Sequence, residues 1–227
     1  MVEYKVLNTK SLREQVYDYL KNEINEGRLK RGDFIDVNKL SVMLGISKTP
    51  LRDALLQLEI DGFVKILPRR GIVVNDLTLD DIKNYYEMIG GLESSALLSV
   101  ADKMLSEDFD KMEKLNDEMK QALDQDDFDL YYEKNVEFHN VYLNKSCNKP
   151  LLRTLEVCKQ RLYDFPRKKD YVPDWEYSSL NEHAKIVEFL RMGEFVKAAD
   201  YIRDVHWSFE VQKKYILQYY FNEMTDD

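Results

Sequence analysis

The sequence has few of the features that define secreted, membrane-bound or disulfide-rich proteins. Only two of its 227 residues are cysteine, Cys147 and Cys158, and we expect reduced thiols rather than a disulfide framework. Apolar runs are short, such as Ala96 to Ala101, and the N-terminus lacks the apolar core of a signal peptide. The sequence therefore predicts a cytoplasmic protein with no membrane partner.

Glycine and proline are also scarce, and they become rarer after Thr78. The chain from there to the C-terminus has helical periodicity and contains no convincing strand. We therefore expect a mainly α protein whose region 76–227 is an all-α helical bundle, with a loop at about 165–177. The predicted helices of this region span about 79–103, 106–125, 127–143, 150–164, 178–192 and 194–222.

The net charge of -9 is divided unevenly along the chain. Residues 1–75 contain 13 basic and 10 acidic side chains, whereas residues 76–227 contain 20 basic and 32 acidic ones. Because DNA binding depends on Lys and Arg neutralising phosphates, the acidic part would repel a duplex that the first part could bind. We therefore predict two domains, 1–75 and 76–227, although two-domain enzymes also show such a division.

The N-terminal pattern is typical of a winged helix-turn-helix. A first helix begins with the capping-box spacing of Ser11 and Glu14, a second spans about residues 36–44, and Ser47 begins a third. Two β-prone runs, 63–67 and 72–74, then flank the turn Pro68-Arg69-Arg70-Gly71. This order predicts a small β-hairpin wing after the third helix.

The start of the third helix carries the chemistry of DNA recognition. Ser47, Lys48, Thr49 and Arg52 supply hydroxyls and cations for phosphates and base edges, and Arg69 and Arg70 place two more cations on the wing. The alternative is that these side chains form an ordinary solvated face and a charged turn.

Longer blocks carry a resemblance to a known family. Gly45-Ile-Ser-Lys-Thr-Pro-Leu-Arg-Asp-Ala-Leu55, Leu58-Glu-Ile-Asp-Gly-Phe-Val64 and Arg69-Arg-Gly71 resemble the winged helix of GntR-type regulators. The resemblance implies contacts with double-stranded operator DNA. Lys48 stands where the family usually has Arg, and Asn38 stands where it often has Glu or Arg. The operator is therefore expected to deviate from the family's usual half-site. The implied contact residues are Ser47, Lys48, Thr49, Arg52, Arg69, Arg70 and Gly71.

All three histidines of the chain lie in its acidic part, at positions 139, 183 and 206. Asn135 precedes His139 by four residues, so both lie on one helix face. Three imidazoles and an amide oxygen suit a divalent metal ion such as zinc, nickel or manganese. Dispersed histidines in helices are more often core or capping residues, however, and the residues alone leave both interpretations open.

Three blocks resemble the FCD domain, the ligand domain of the FadR subgroup of GntR regulators: Asn135-Val-Glu-Phe-His139, Asn181-Glu-His183 and Arg203-Asp-Val-His206. The resemblance implies metal ligands at Asn135, His139, His183 and His206, with Asn135 in place of a more usual Asp. It also implies an effector cavity above the metal, where a small organic acid would bind. Ile89 replaces an Arg found in many relatives, which leaves Arg161 as a candidate effector contact or a simple helix-dipole cation.

The sequence thus predicts a homodimeric regulator, acting as a repressor, whose effector changes the separation of two DNA-binding heads on a palindromic operator. One alternative is a metalloenzyme that activates water, but neither His-Glu-x-x-His nor a nucleophile elbow is present, so no enzyme activity is expected. Another is a DNA-binding regulator with a purely structural metal and no effector.

Overall fold

The computed structural model describes residues 10–163 and 172–221. These residues divide into two units. The N-terminal unit comprises residues 10–78 and 160–163, and the C-terminal unit comprises residues 79–159 and 172–221. The division falls after Thr78 rather than after Asn75, and the end of one later helix is grouped with the N-terminal unit.

Local capping signals set the helices of the N-terminal unit. Ser11 and Glu14 form the predicted capping box, in which each side chain accepts from the other residue's backbone N–H. Gly45 ends the second helix at φ 65°, a left-handed conformation that suits glycine. Ser47 precedes the third helix without a capping hydrogen bond from its side chain. The three helices are α1 (Leu12–Asn25), α2 (Val37–Leu44) and α3 (Lys48–Ile60).

A three-stranded antiparallel sheet completes this unit. Its strands are β1 (Phe34–Ile35), β2 (Val64–Leu67) and β3 (Gly71–Val74), in the order β1-β3-β2. Leu67 pairs with Gly71 across the wing turn. Arg69 adopts φ 62° in that turn, a left-handed conformation that is uncommon outside glycine. The predicted hairpin is confirmed, whereas the two-residue strand β1 is an addition to it.

The sheet and helices enclose one apolar core. Leu20, Leu51, Leu55, Leu58 and Phe63 are all fully buried in it. Burying each such side chain stabilises the fold by about 1.5–3 kcal/mol, so this small core is sufficient to fix α3 on its apolar face. The polar face of α3 is consequently held outward.

The described residues of the C-terminal unit form helices joined by short turns, with no strand among them. Helix α4 packs against α6, α9 and a π-helix, and α5 packs against α6 and α8. The predicted mainly α class is therefore confirmed. No helix of the described ranges is long and apolar enough to cross a membrane. The elements are α4 (Leu79–Val100), a 3-10 turn (Ala101–Lys103), α5 (Ser106–Asp124), α6 (Phe128–Leu143), α7 (Lys149–Tyr163), α8 (Pro173–Arg191), α9 (Phe195–Tyr201), the π-helix (Ile202–His206) and α10 (Phe209–Phe221).

Two predicted boundaries in this unit are wrong. Helix α8 begins at Pro173 rather than at Ser178, because proline fits the first helical position, where no intrahelical N–H bond is needed. The last predicted helix is not continuous, since its backbone widens into the π-helix and turns at Trp207 before α10. Residues 164–171 of the predicted loop lie outside the described residues.

Gly90 allows the π-helix to approach α4 closely. A Cβ at Gly90 would lie 3.0 Å from the Cβ of Trp207 and 3.3 Å from the Cα of Arg203. Any larger residue would therefore push the π-helix away. The absence of a side chain at Gly90 thus helps to place His206, the last residue of that helix.

Candidate functional site

The first turn of α3 presents the polar side chains that the sequence predicts for DNA. Ser47, Lys48, Thr49 and Arg52 are all exposed, while Leu51 on the opposite face is fully buried. The helix therefore has a fixed buried face and an exposed face of hydroxyls and cations. That arrangement suits contact with phosphates and base edges.

The wing and α3 border one open cleft. Its volume is about 420 Å³, and Arg52 of α3 and Arg69 of the wing both line it. The cleft floor is apolar. Arg70, which lies beside the cleft, is exposed, and so is Gly71. The remaining lining residues are Val37, Leu55, Leu56, Ile66, Leu67, Pro68, Gly71 and Ile72.

The charges on this surface are not neutralised by neighbours. Lys48, Arg52, Arg69 and Arg70 form no ion pair with any residue in the described part of the chain. By contrast, Arg203 of the C-terminal unit pairs with Asp200 and Asp204. Four uncompensated cations on one surface are suited to bind a polyanion.

In the C-terminal unit, three helical segments bring all three histidines together. His139 of α6, His183 of α8 and His206 of the π-helix are buried, and their nearest ligand nitrogens lie within 4.8 Å of one another. The ring centroids are 4.9 to 5.3 Å apart. Residues far apart in sequence thus form one imidazole cluster.

Several polar atoms of this cluster have no hydrogen-bond partner. They are Nε2 of His139, both ring nitrogens of His183 and Oδ1 of Asn135, which lies one turn before His139 on α6. A buried polar atom without a partner costs about 1–3 kcal/mol. A group of such atoms in one place indicates a ligand that satisfies them together.

The buried carboxylate of Glu93 orients the ring of His139. Glu93 of α4 is fully buried, and its Oε2 lies 2.9 Å from Nδ1 of His139. Tyr142 donates its hydroxyl to the same oxygen at 2.5 Å, and the ammonium of Lys159 pairs with the other oxygen. The Glu93 contact leaves Nε2 of His139 directed into the cluster.

The carboxylate of Glu182 orients the ring of His206 in the same way. Oε2 of Glu182 lies 2.8 Å from Nδ1 of His206, and Gln212 donates to Oε1 of Glu182 at 2.9 Å. Trp175 in turn donates to the side-chain oxygen of Gln212 at 2.9 Å. This chain of hydrogen bonds fixes the ring and leaves Nε2 of His206 as its second nitrogen.

Burial keeps His139 and His183 neutral. It lowers the pKa of His139 to about 4, against the opposing attraction of Glu93. It also lowers the pKa of His183 well below the usual value, and the neighbouring His206 and His139 add to this effect. Burial disfavours the charged form of Glu93, but His139 and Lys159 hold its pKa well below the usual range. Neutral imidazoles are the form that binds metal.

The donor set fits a divalent metal ion. Two nitrogens bound to one ion at about 2.0–2.1 Å are at most about 4.2 Å apart. The observed limit of 4.8 Å is close to that value, so small ring rotations would complete the contact. Three imidazoles with one amide oxygen are typical ligands of zinc, nickel or manganese.

Of the four predicted metal ligands, the three histidines meet in the C-terminal unit, and Asn135 lies one turn before His139 on α6. Four supporting residues were not predicted from the sequence. Glu93 and Glu182 contact His139 and His206, and Lys159 and Gln212 contact those two carboxylates. An acidic residue in the apolar stretch of α4, and another directly before His183, were the signals available. The predicted effector contact at Arg161 gains no support, because this buried guanidinium lies 5.3 Å from the ring of Phe63 in the N-terminal unit.

Comparisons with known proteins identify the class. Residues 12–74 match the family of bacterial regulatory proteins called the gntR family, and residues 84–205 match the FCD domain. The chain belongs to the GntR family of transcription regulators with an FCD domain. This family consists of regulators rather than enzymes, so the metalloenzyme alternative has no support.

Individual relatives agree with this assignment. The HTH-type transcriptional regulator YdhC of Bacillus subtilis is 31% identical over 77% of this chain and 78% of its own length. The HTH-type transcriptional repressor RspR of Escherichia coli is 22% identical over 62% of this chain and 61% of its own length. The solved structure of E. coli McbR/YncC has the same fold, with a TM-score of 0.57, 23% identity and coverage of 90% of this chain and 95% of that one.

Proposed function

We propose that this chain is a cytoplasmic homodimeric repressor whose affinity for operator DNA is set by a small organic acid bound beside a divalent metal ion. The observation that carries the proposal is the cluster of partnerless buried atoms on His139, His183 and Asn135. A purely structural core would leave these atoms uncompensated at a considerable cost. An ion that still accepts one further ligand accounts for them.

The DNA-binding half of the proposal rests on the exposed surface of the N-terminal unit. Thr49 and Arg52 would approach base edges in the major groove, together with Ser47 and Lys48 from the same turn. Arg69, Arg70 and Gly71 would follow the adjacent phosphates or the minor groove. A second copy of the chain supplies the other recognition helix, because one such helix covers only half of a palindromic operator.

The metal would be held by Asn135, His139, His183 and His206. When bound, it supplies a positive centre to which an effector carboxylate can add an oxygen ligand. Burial keeps His139 and His183 neutral, and Glu93 and Glu182 orient His139 and His206. Repression as the direction of control is supported by the relative RspR, which is named a repressor.

Fluorescence anisotropy with a labelled operator, selected from random duplexes, tests this proposal. Zinc-loaded and metal-stripped protein are titrated with a panel of mono-, di- and amino-carboxylates. We expect at least one carboxylate to weaken operator binding about tenfold or more, and only in the zinc-loaded protein. His183→Ala should retain operator binding and lose the response.

The remaining candidate is a DNA-binding regulator with a purely structural metal. It predicts that zinc raises thermal stability while no carboxylate alters operator affinity. A flat response across the whole panel, with zinc bound, would therefore replace the effector-controlled function by this one.

A further inference from the structure

An exposed leucine lies among the polar side chains of α3. Leu56 is 49% exposed. It follows Thr49 by seven residues and Arg52 by four, so the three side chains share one helix face. Leu51 and Leu58, on the other side of the helix, are fully buried in the core. Packing within the N-terminal unit therefore does not account for an apolar side chain at position 56.

The cleft between α3 and the wing surrounds Leu56. Leu67 and Pro68 of the wing line this cleft together with Leu56, and Arg52 and Arg69 line it as well. An apolar surface and two guanidinium groups thus lie side by side in one open cleft. A ligand that fits there has to offer an apolar group together with negative charge.

The charges around the cleft favour duplex DNA as its occupant. Lys48, Arg52, Arg69 and Arg70 form no ion pair with any residue in the described ranges, and phosphates would supply the missing negative charge. The exposed Asp53 is not among the residues that line the cleft. In the major groove, the apolar group that base edges display is the C5-methyl of thymine. That methyl is the part of the duplex that suits a leucine.

We propose that Leu56 is a specificity-determining residue, which contacts the methyl group of a thymine in the operator half-site. This inference rests on the DNA-binding half of the proposed function. Leu56 lies about 6 Å from Arg52 along the helix axis. Base pairs are about 3.4 Å apart, so the two side chains contact different base pairs. Any other base would place a polar edge or no methyl against Leu56, which costs binding free energy.

Deoxyuridine in place of thymine tests the contact, because it removes the methyl and keeps the base pairing. An operator is selected from random duplexes with the wild-type full chain, and its thymines are replaced one at a time. Fluorescence anisotropy should find a dT→dU replacement that weakens wild-type binding about fourfold, the value of one methyl group removed from water. Leu56→Ala should bind the dT and dU duplexes with equal affinity.

Ile60→Ala is the matched control. Ile60 is 77% exposed and lies one turn beyond Leu56 on the same helix, but it does not line the cleft. Its replacement should leave the preference for dT over dU intact. Circular dichroism checks that both variants fold, which is expected because neither side chain belongs to the core.

Each other outcome overturns a defined part. If no single replacement weakens wild-type binding, or if Leu56→Ala keeps the preference for dT, the methyl contact is refuted while operator binding stands. Loss of the preference in Ile60→Ala would also refute the assignment to Leu56. If the wild type selects no duplex, the DNA-binding half of the proposed function is refuted, and this inference with it.

Discussion

Replacing Glu182 with glutamine tests whether the carboxylates behind the histidines support a metal site. Glu182 accepts two hydrogen bonds with two oxygens, from His206 at 2.8 Å and from Gln212 at 2.9 Å. Glutamine has one acceptor oxygen, so either partner would face an N–H group whichever way the amide is turned. The negative charge that makes the imidazole a better ligand is also lost. We expect metal affinity to fall about 10–100-fold, which is about 1.4–2.8 kcal/mol.

Competition with a chromophoric chelator measures this loss as a change in the zinc dissociation constant. Glu188→Gln is the matched control, because Glu188 lies exposed on the same helix and pairs only with Lys185 among its described contacts. Circular dichroism confirms that both variants fold. An unchanged zinc affinity in Glu182→Gln, or an equal loss in Glu188→Gln, would refute the orienting role.

Three further predictions test other parts of the structure. Gly90→Ala should lower stability by about 1–3 kcal/mol in thermal unfolding, because the new Cβ would lie 3.0 Å from the Cβ of Trp207, next to the π-helix. Gly91→Ala is the control and should not lower stability, because a Cβ there has nothing within 4 Å. Arg52→Ala should weaken operator binding and reduce the salt slope of log K by about one, while Arg203→Ala should not. Burial raises the pKa of Glu176 to about 7, so the protonated side chain stabilises the fold below about pH 4.5, and this contribution is lost as the pH rises through 7. Urea unfolding should therefore show a free energy of unfolding that declines less over this pH range in Glu176→Gln than in the wild type.

The N-terminal unit was largely predictable because its signals are local. The capping box at Ser11, the left-handed Gly45 and the cationic wing turn each depend on residues only a few positions apart. Strand β1 was not predictable, since two residues are too few to show a period of two. Its existence depends on pairing with β3, which follows more than thirty residues later.

The candidate metal site was predictable only in part. The resemblance named four candidate ligands, but Glu93 and His139 are 46 residues apart, and no sequence spacing relates them. The break of the last helix was equally hidden, because a π-helix differs from an α-helix by one extra residue in a turn and leaves the apolar pattern almost unchanged. Both features arise from tertiary contacts around Gly90 and the histidines.

The most direct test of the account is the metal content of the purified chain. After incubation with zinc, nickel or manganese and removal of free metal, mass spectrometry should find about one divalent ion per wild-type chain. His183→Ala, folded by circular dichroism, should retain less than about a tenth of that, since its loss removes a central ligand. A wild-type chain that binds none of the three metals, or a variant that binds as much as the wild type, would contradict the central claim that these histidines form a metal site.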